Sequence, residues 1–132
     1  MFEVKKVISD YLPNGWKIIN PGAPSKFEVS KLRLYHFLKK DELSIDIEEM
    51  RRRAKKVNAN LGLEDGDRML NEQNSINHSF KDYYIPLPAV DLYGSRGGRD
   101  ILCLGYSKGR WMPVFGKLNG IWRRGVRFVC VR

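Results

Sequence analysis

Between residues 44 and 62, in the segment SIDIEEMRRRAKKVNANLG, apolar side chains recur every three or four positions. This spacing puts them on one face of an α-helix and predicts a helix that buries that face. Acidic residues precede basic ones, which suits the helix dipole, and the pattern predicts Ser44 as the N-cap and Gly62 as the C-terminal stop. The predicted buried positions are Ile47, Met50, Ala54, Val57 and Leu61.

The basic run RRRAKK lies within this predicted helix and has two interpretations. Because its residues are interleaved with the apolar positions, we interpret the run as the solvated face of the helix. A nucleic-acid or targeting patch is the alternative.

A second, shorter helix is predicted over EDGDRMLNEQNSI, residues 64–76, with Met69, Leu70 and Ile76 facing inward. The stretch EDGD resembles part of a calcium-binding loop, but it lacks the alternating ligands and the distal glutamate of such loops. We therefore interpret it as the start of a helix.

The rest of the chain is predicted to be extended or turn-rich. Prolines and glycines in residues 13–25 predict a turn-rich connection, and partial alternation over residues 27–37 predicts a strand. After the helices come four short strand candidates, YYIPLPAV, DILCLGY, RWMPVF and VRFVCV. This order predicts an α+β fold in which two helices pack on a small antiparallel sheet.

The chain of 132 residues is long enough for one domain with its own core. We divide it into an N-terminal extension (1–26), a strand with two helices (27–90) and a β-rich region (91–132). No apolar run approaches the roughly 18 residues that a membrane span needs, and the charged N-terminus is unlike a signal peptide. We therefore expect the protein to be synthesised in the cytoplasm. The sequence does not decide whether it later assembles into a virion or onto a surface.

The net charge of +9 is concentrated at the C-terminal end. Residues 1–90 hold 15 Lys and Arg against 13 Asp and Glu, whereas residues 91–132 hold nine against two. Such a region attracts polyanions or acidic proteins. Its interleaved aromatic residues could stack on bases, although Trp111, Phe115 and Trp122 fall where a small sheet needs its core.

The sequence contains no recognisable catalytic constellation. Ser107 lies in one G-x-S-x-G match, GYSKG at residues 105–109, but this match falls between two strand candidates and not between a strand and a helix, as a nucleophile elbow requires. Neither histidine has a partner at local spacing. The cysteines, Cys103 and Cys130, lie in apolar stretches, so we interpret them as reduced core thiols, with a disulfide between strands as the alternative. Without a C-x-x-C motif we expect no metal site. The protein is predicted not to be an enzyme and to need no cofactor.

The C-terminal part of the chain resembles proteins of the C-type-lectin fold. Its closing GVRFVCVR is similar to the last strand of lectin-like domains related to formylglycine-generating enzymes. The helical part leading into YYIPLP is similar to the variable proteins of diversity-generating retroelements, which use that fold. The resemblance covers residues 27–132 and is best over 84–132. Besides these stretches it rests on Leu104, Trp111, Phe115, Leu118 and Trp122.

In those variable proteins, adenine-directed mutagenesis diversifies the C-terminal region, and the altered residues form a ligand-binding face on a constant scaffold. An Asn codon changed only at its adenines cannot yield Lys, Glu, Gln, Met or Trp. The resemblance therefore implies that Trp111, Met112, Lys117 and Trp122 are constant. We expect the binding face to be held by a scaffold of Trp111, Phe115, Leu118 and Trp122. The ligand-binding residues that it implies are Tyr93, Ser95, Arg96, Arg99, Asp100, Tyr106, Arg110, Asn119, Arg123 and Arg124.

Two properties of the fold family do not carry over. The C-terminal region lacks the acidic ligands of calcium-dependent sugar binding, and Cys103 and Cys130 do not form an oxidase pair. The sequence therefore predicts a non-enzymatic protein whose variable surface binds a protein or another macromolecule, and the basic charge would suit an acidic one. A nucleic-acid-binding module that uses the same arginines and aromatic residues is the alternative.

Overall fold

The computed structural model describes residues 4–43, 45–94, 99–116 and 125–131. Over these ranges the chain is α+β, as predicted, with two α-helices and two small antiparallel sheets instead of one. No helix in the described ranges is long and apolar enough to cross a membrane. The helices are α1 (Ile47–Lys56) and α2 (Leu63–Asn71). The strands are β1 (Lys17–Asn20), β2 (Arg33–Tyr35), β3 (Ile85–Pro86), β4 (Asp91–Tyr93), β5 (Arg99–Ser107), β6 (Arg110–Gly116) and β7 (Phe128–Cys130).

Helix α1 forms where the apolar periodicity predicts it, but the predictions for its ends were wrong. The N-cap is Asp46 and not Ser44, and the Asp46 carboxylate accepts a hydrogen bond from the Glu49 N–H at 2.8 Å. A carboxylate also adds favourable charge at the positive end of the helix dipole. The helix stops at Lys56, and Asn58 follows with a φ of 58°, a left-handed conformation that asparagine tolerates. The predicted face is buried at Ile47, Met50, Ala54 and Leu61.

Gly62 begins α2 instead of ending α1. It is the N-cap, and its N–H donates to the Asp65 carboxylate at 2.9 Å. A Cβ at this position would lie 2.8 Å from the Pro21 carbonyl oxygen, so the close approach of the backbone requires glycine. The segment EDGD therefore starts a helix, as predicted, although α2 ends before a separate 3-10 turn at Gln73–Ser75. The predicted inward-facing residues Met69, Leu70 and Ile76 are all buried.

Two buried carboxylates of α2 hold the N-terminal part of the chain against the helix. Asp65 accepts a hydrogen bond from the Ser25 N–H at 2.8 Å. Asp67 accepts one from the Val7 N–H at 3.0 Å and one from the Ile8 N–H at 2.9 Å. A buried carboxylate is costly unless it is hydrogen-bonded, and here backbone donors from a distant segment satisfy it. The predicted N-terminal extension is thus packed onto the fold.

The larger sheet is built around β5. One edge of β5 pairs with β6, from Ile101 opposite Gly116 to Ser107 opposite Arg110. The other edge pairs with β4 and with β3, and β4 pairs in turn with β1. Strand β1 lies inside residues 13–25, where the sequence predicts only a turn-rich connection. Its pairing with β4 is a tertiary contact, which local sequence cannot reveal.

The smaller sheet pairs β2 with β7 in antiparallel fashion. The strand predicted over residues 27–37 was therefore only partly correct, because Val29–Lys31 forms a 3-10 turn before β2 begins. Phe37, just beyond β2, stacks on Phe128 of β7 with ring centroids 3.9 Å apart. This stacked pair anchors the smaller sheet in the core beside α1.

The two cysteines lie in the same apolar cluster as this stacked pair. Cys103 and Cys130 are buried and free, as their interpretation as reduced core thiols predicts. Burial raises the pKa of both thiols, which keeps them protonated at neutral pH.

A cluster of four charged side chains joins α1 to the loop before it. Arg53 donates to the two carboxylate oxygens of Glu42 at 2.6 and 2.7 Å, to Glu49 at 2.7 Å and to the Phe37 carbonyl oxygen at 3.0 Å. Arg52 donates to both oxygens of Glu49. The arginine hydrogen bonds lower the pKa of Glu42 and the pKa of Glu49 to about 2.

We expect this cluster to make stability depend on pH under acidic conditions. The ordinary pKa of these carboxyls is 4.5, and their pKa in the folded protein is about 2. Their contribution to folding stability is therefore complete above about pH 5, and it is lost as the pH falls through the folded pKa. In the Arg53→Met variant, the unfolding free energy should decrease less steeply between about pH 5 and pH 2 than in the parent. Urea denaturation at a series of pH values measures this slope. The matched control Lys55→Met, at an exposed neighbouring position, should keep the slope of the parent protein. If the unfolding free energy of Arg53→Met and of the parent depends equally on pH, the pH dependence does not come from this cluster.

Candidate binding surface

The described residues that were predicted to bind ligand fall at the two ends of β5. Tyr93 on β4 pairs with Arg99, and Asp100 follows Arg99 at one end of β5. Tyr106 lies near the other end, and Arg110 pairs with Ser107 across the β5–β6 hairpin. At about 3.3 Å per strand residue, the two ends of β5, Arg99 and Ser107, lie roughly 26 Å apart. The predicted site is therefore two separate groups of residues on one sheet.

At the β4–β5 end, Tyr93 and Asp100 differ sharply in accessibility. The Tyr93 side chain is 47% exposed, whereas Asp100 is 8% exposed and offers little surface to a partner. Gly94 packs so tightly against the Asp100 carboxylate and Trp16 that a Cβ there would overlap with Asp100. Gly94 therefore leaves the space that the Asp100 carboxylate occupies, beside an accessible aromatic residue.

At the hairpin end, Tyr106 and Arg110 contact residues that the sequence did not associate with them. The Lys81 ammonium lies 4.5 Å from the centroid of the Tyr106 ring, a cation–π geometry. Arg110 is exposed and donates a hydrogen bond to the Tyr11 hydroxyl. The turn joining the strands has positive φ at both central residues, 53° at Lys108 and 84° at Gly109, which matches a tight two-residue hairpin.

Tyr11, Trp16 and Lys81 are therefore neighbours of the site that sequence reasoning missed. Tyr11 lies 99 residues from Arg110 in the chain, and no local pattern connects the two. Only the docking of the N-terminal 3-10 helix Ile8–Tyr11 against β6 brings them together.

The two described scaffold residues pack differently. Trp111 is 3% exposed, and its ring meets Tyr106 edge to face at 5.7 Å between centroids. Its backbone N–H donates to the Gln73 side-chain oxygen at 2.9 Å, and its carbonyl accepts from the Gln73 amide at 3.3 Å. Phe115 is half-buried and meets Trp16 edge to face at 5.9 Å. Trp111 is thus fixed through both its ring and its backbone.

The remaining predicted site residues lie outside the described residues, as does the side chain of Arg99. The segment 95–98 connects Gly94 to Arg99, and the segment 117–124 begins after Gly116, which pairs with Ile101. The described residues that flank these segments, Arg99 and Gly116, lie at the β4–β5 end of the sheet, where Tyr93 pairs with Arg99 and Gly116 with Ile101. The predicted ligand-binding residues in these segments are Ser95, Arg96, Asn119, Arg123 and Arg124, and the scaffold residues are Leu118 and Trp122.

Metal-binding and thiol chemistry have little support in the described part of the chain. Within it, no group of three or more His, Cys, Asp or Glu side chains is placed to hold a metal ion. Cys103 and Cys130 are buried as protonated thiols. What the surface presents is aromatic and cationic, which is suited to recognition of a partner.

The chain matches no protein-family model, and no curated protein and no solved structure is significantly similar to it. Its function has to be inferred from its own residues and their geometry.

Proposed function

We propose that the protein is a non-enzymatic binding protein with a C-type-lectin-like scaffold, of the kind that diversity-generating retroelements vary. Its C-terminal region would present exchangeable residues to a protein ligand. The ligand-binding face would be centred on the β4–β5 end of the larger sheet, and the hairpin end would add Tyr106 and Arg110. The partner would be acidic, because residues 91–132 carry nine basic residues and two acidic ones.

The observation that carries the proposal is the contrast between Trp111 and its exchangeable neighbours. Trp111 cannot arise by adenine changes in an Asn codon, and it is a buried, doubly fixed core residue. Tyrosine and arginine can both arise by adenine changes in an Asn codon, and the side chains of Tyr93 and Arg110 are exposed. Substitution at the exposed positions would change the surface without removing core contacts, which a diversified binding protein requires.

The arrangement of elements also supports the proposal. The chain runs from β2 through two helices into several short strands, an order that agrees with the resemblance. The closing strand β7, within GVRFVCVR, pairs with β2 and is fully buried. A closing strand held in this way can support variable segments without being variable itself.

A library test follows from the proposal. Replacing the codons of Tyr93, Arg96, Arg99, Arg110 and Asn119 by adenine-mutated Asn codons should yield mostly folded variants, with melting temperatures within a few degrees of the parent. Exposed substitutions away from special features usually change stability by less than about 0.5 kcal/mol. Selection of the displayed library against acidic protein ligands should enrich binders that differ at these positions.

The matched control library varies buried positions of the same sheet, namely Leu102, Leu104 and Trp111. Most of its members should fail to fold, because core truncations cost several kcal/mol each. Equal tolerance in the two libraries would contradict the division into scaffold and variable face.

The alternative, a nucleic-acid module on the same face, has a different signature. It predicts that oligonucleotide binding weakens steeply with salt and is lost in Arg110→Gln and Arg123→Gln. That result would replace the proposal.

A further inference from the structure

A second surface, which shares no residue with the proposed variable face, lies between β2 and the C-terminal end of α1. A groove of about 630 Å³ is lined by Arg33, Tyr35, Val57, Asn58 and Cys130. A second groove of about 320 Å³ adjoins it, because Tyr35 and Val57 line both. The second groove also has cationic side chains on both walls, from Lys39 after β2 and from Arg52 and Lys56 on α1.

The charge of the two grooves is uniformly basic among the described lining residues, none of which is acidic. Arg52 and Arg53, which line the second groove, are bound to Glu49 and Glu42, so this cluster of four is neutral overall. Lys39 and Lys56 therefore add positive charge to the second groove beyond that neutral cluster. A groove with basic walls attracts an anionic chain.

The first groove differs from the second in its chemistry. Val57 and Cys130 contribute apolar surface, and the Tyr35 ring, 45% exposed, stands beside them. Asn58 adds a side-chain amide, and its backbone is held in place because its carbonyl oxygen accepts a hydrogen bond from the Val131 N–H at 3.0 Å. An aromatic face with an amide is the pairing that stacks on a base and reads its edge.

We propose that this double groove binds single-stranded nucleic acid. Tyr35 stacks on a base, Asn58 contacts the edge of that base, and the cations of the adjoining groove hold the neighbouring phosphates. An acidic peptide is the other occupant that the cations would suit, and the test below separates the two. The site is distinct from the proposed variable face and does not depend on it.

The test measures binding of a short fluorescein-labelled oligoadenylate by anisotropy over a series of salt concentrations. Tyr35→Val keeps a residue suited to a strand but removes the ring, and it should weaken binding roughly 5- to 150-fold. Tyr35→Phe keeps the ring and should bind like the parent. Asn58→Gly retains the positive φ and should also weaken binding, since the amide is removed.

The phosphate contacts are tested by Lys39→Gln combined with Lys56→Gln. This double variant should make the slope of log K against log salt shallower by about 0.7 for each lost contact. The matched control, Lys5→Gln with Lys17→Gln, removes the same charge from exposed positions elsewhere and should keep the parent slope. Unchanged melting temperatures establish that each variant is folded.

Four results would overturn the proposal. The first is that oligoadenylate does not bind even at low salt, and the second is that the control pair reduces binding as much as the groove pair. The third is that oligoglutamate competes equally well and its binding survives Tyr35→Val, which would indicate an acidic peptide. Binding that depends on Arg110 and not on the groove would instead place nucleic acid on the variable face, and it would contradict both proposals.

Discussion

Trp111→Ala is expected to lower the free energy of unfolding by about 3–5 kcal/mol. The ring is almost fully buried in the larger apolar cluster and packs edge to face against Tyr106. Its removal loses the transfer free energy of the largest side chain and leaves a cavity that the surrounding sheet cannot close. Gln73 bonds both backbone groups of Trp111 and keeps that stretch of β6 from collapsing inward. Urea denaturation monitored by circular dichroism measures the loss.

Two controls make this result specific to burial. Trp111→Phe retains an aromatic ring and should cost clearly less than the alanine variant. Tyr93→Ala, at an exposed position on the same sheet, should change stability by less than about 0.5 kcal/mol. Loss of ligand binding by Trp111→Ala with unchanged stability would mean that Trp111 is a contact residue and not scaffold. The sequence makes the same prediction for Trp122, which lies outside the described residues.

Asp67→Ala is expected to destabilise the protein by about 3 kcal/mol, because hydrogen bonds to a charged group contribute about 1.5–3 kcal/mol each. One carboxylate oxygen of Asp67 accepts both the Val7 and the Ile8 N–H, and the side chain is 3% exposed. The alanine variant leaves the buried Ile8 N–H without its acceptor. Hydrogen exchange should therefore show lost protection at Val7 and Ile8 before other amides change.

The conservative variant separates hydrogen bonding from packing. Asp67→Asn keeps an oxygen acceptor in the same place, so it should lose less stability than Asp67→Ala and retain protection at Ile8. Asp10→Ala, on the exposed side of the N-terminal 3-10 helix, should have little effect. If Asp67→Ala proves as mild as Asp10→Ala, the N-terminal segment is not held by α2.

The helices were the part of the fold that sequence predicted best. Ile47, Met50 and Ala54 recur at helical spacing, and all three are buried. The ends were less predictable, since Ser44 and Asp46 are both good N-caps and the local sequence does not choose between them. Gly62 likewise suits either helix end, and its tight packing against Pro21 decides that it begins α2.

The site was predicted less completely than the fold. From the alternation of tryptophans with arginines and glycines, Trp111 was predicted to be scaffold and Arg110 to be on the surface, and the structure has Trp111 buried and Arg110 exposed. It did not indicate that Asp100 is buried beside Gly94, or that β5 separates Tyr93 from Tyr106 by most of its length. Those facts depend on strand pairing, which joins residues by register and not by sequence distance.

By itself, the sequence determined the two helices, the order of elements, the basic C-terminal region and the burial of Trp111. Each follows from local periodicity or composition, because the buried face of a helix and the charge of a segment are set by nearby residues. Only the tertiary structure decided that Asp67 binds Ile8 across 59 residues, that Tyr11 reaches Arg110, and that β2 and α1 enclose a basic groove. These contacts join distant segments, and their partners are chosen by the packing of the whole core.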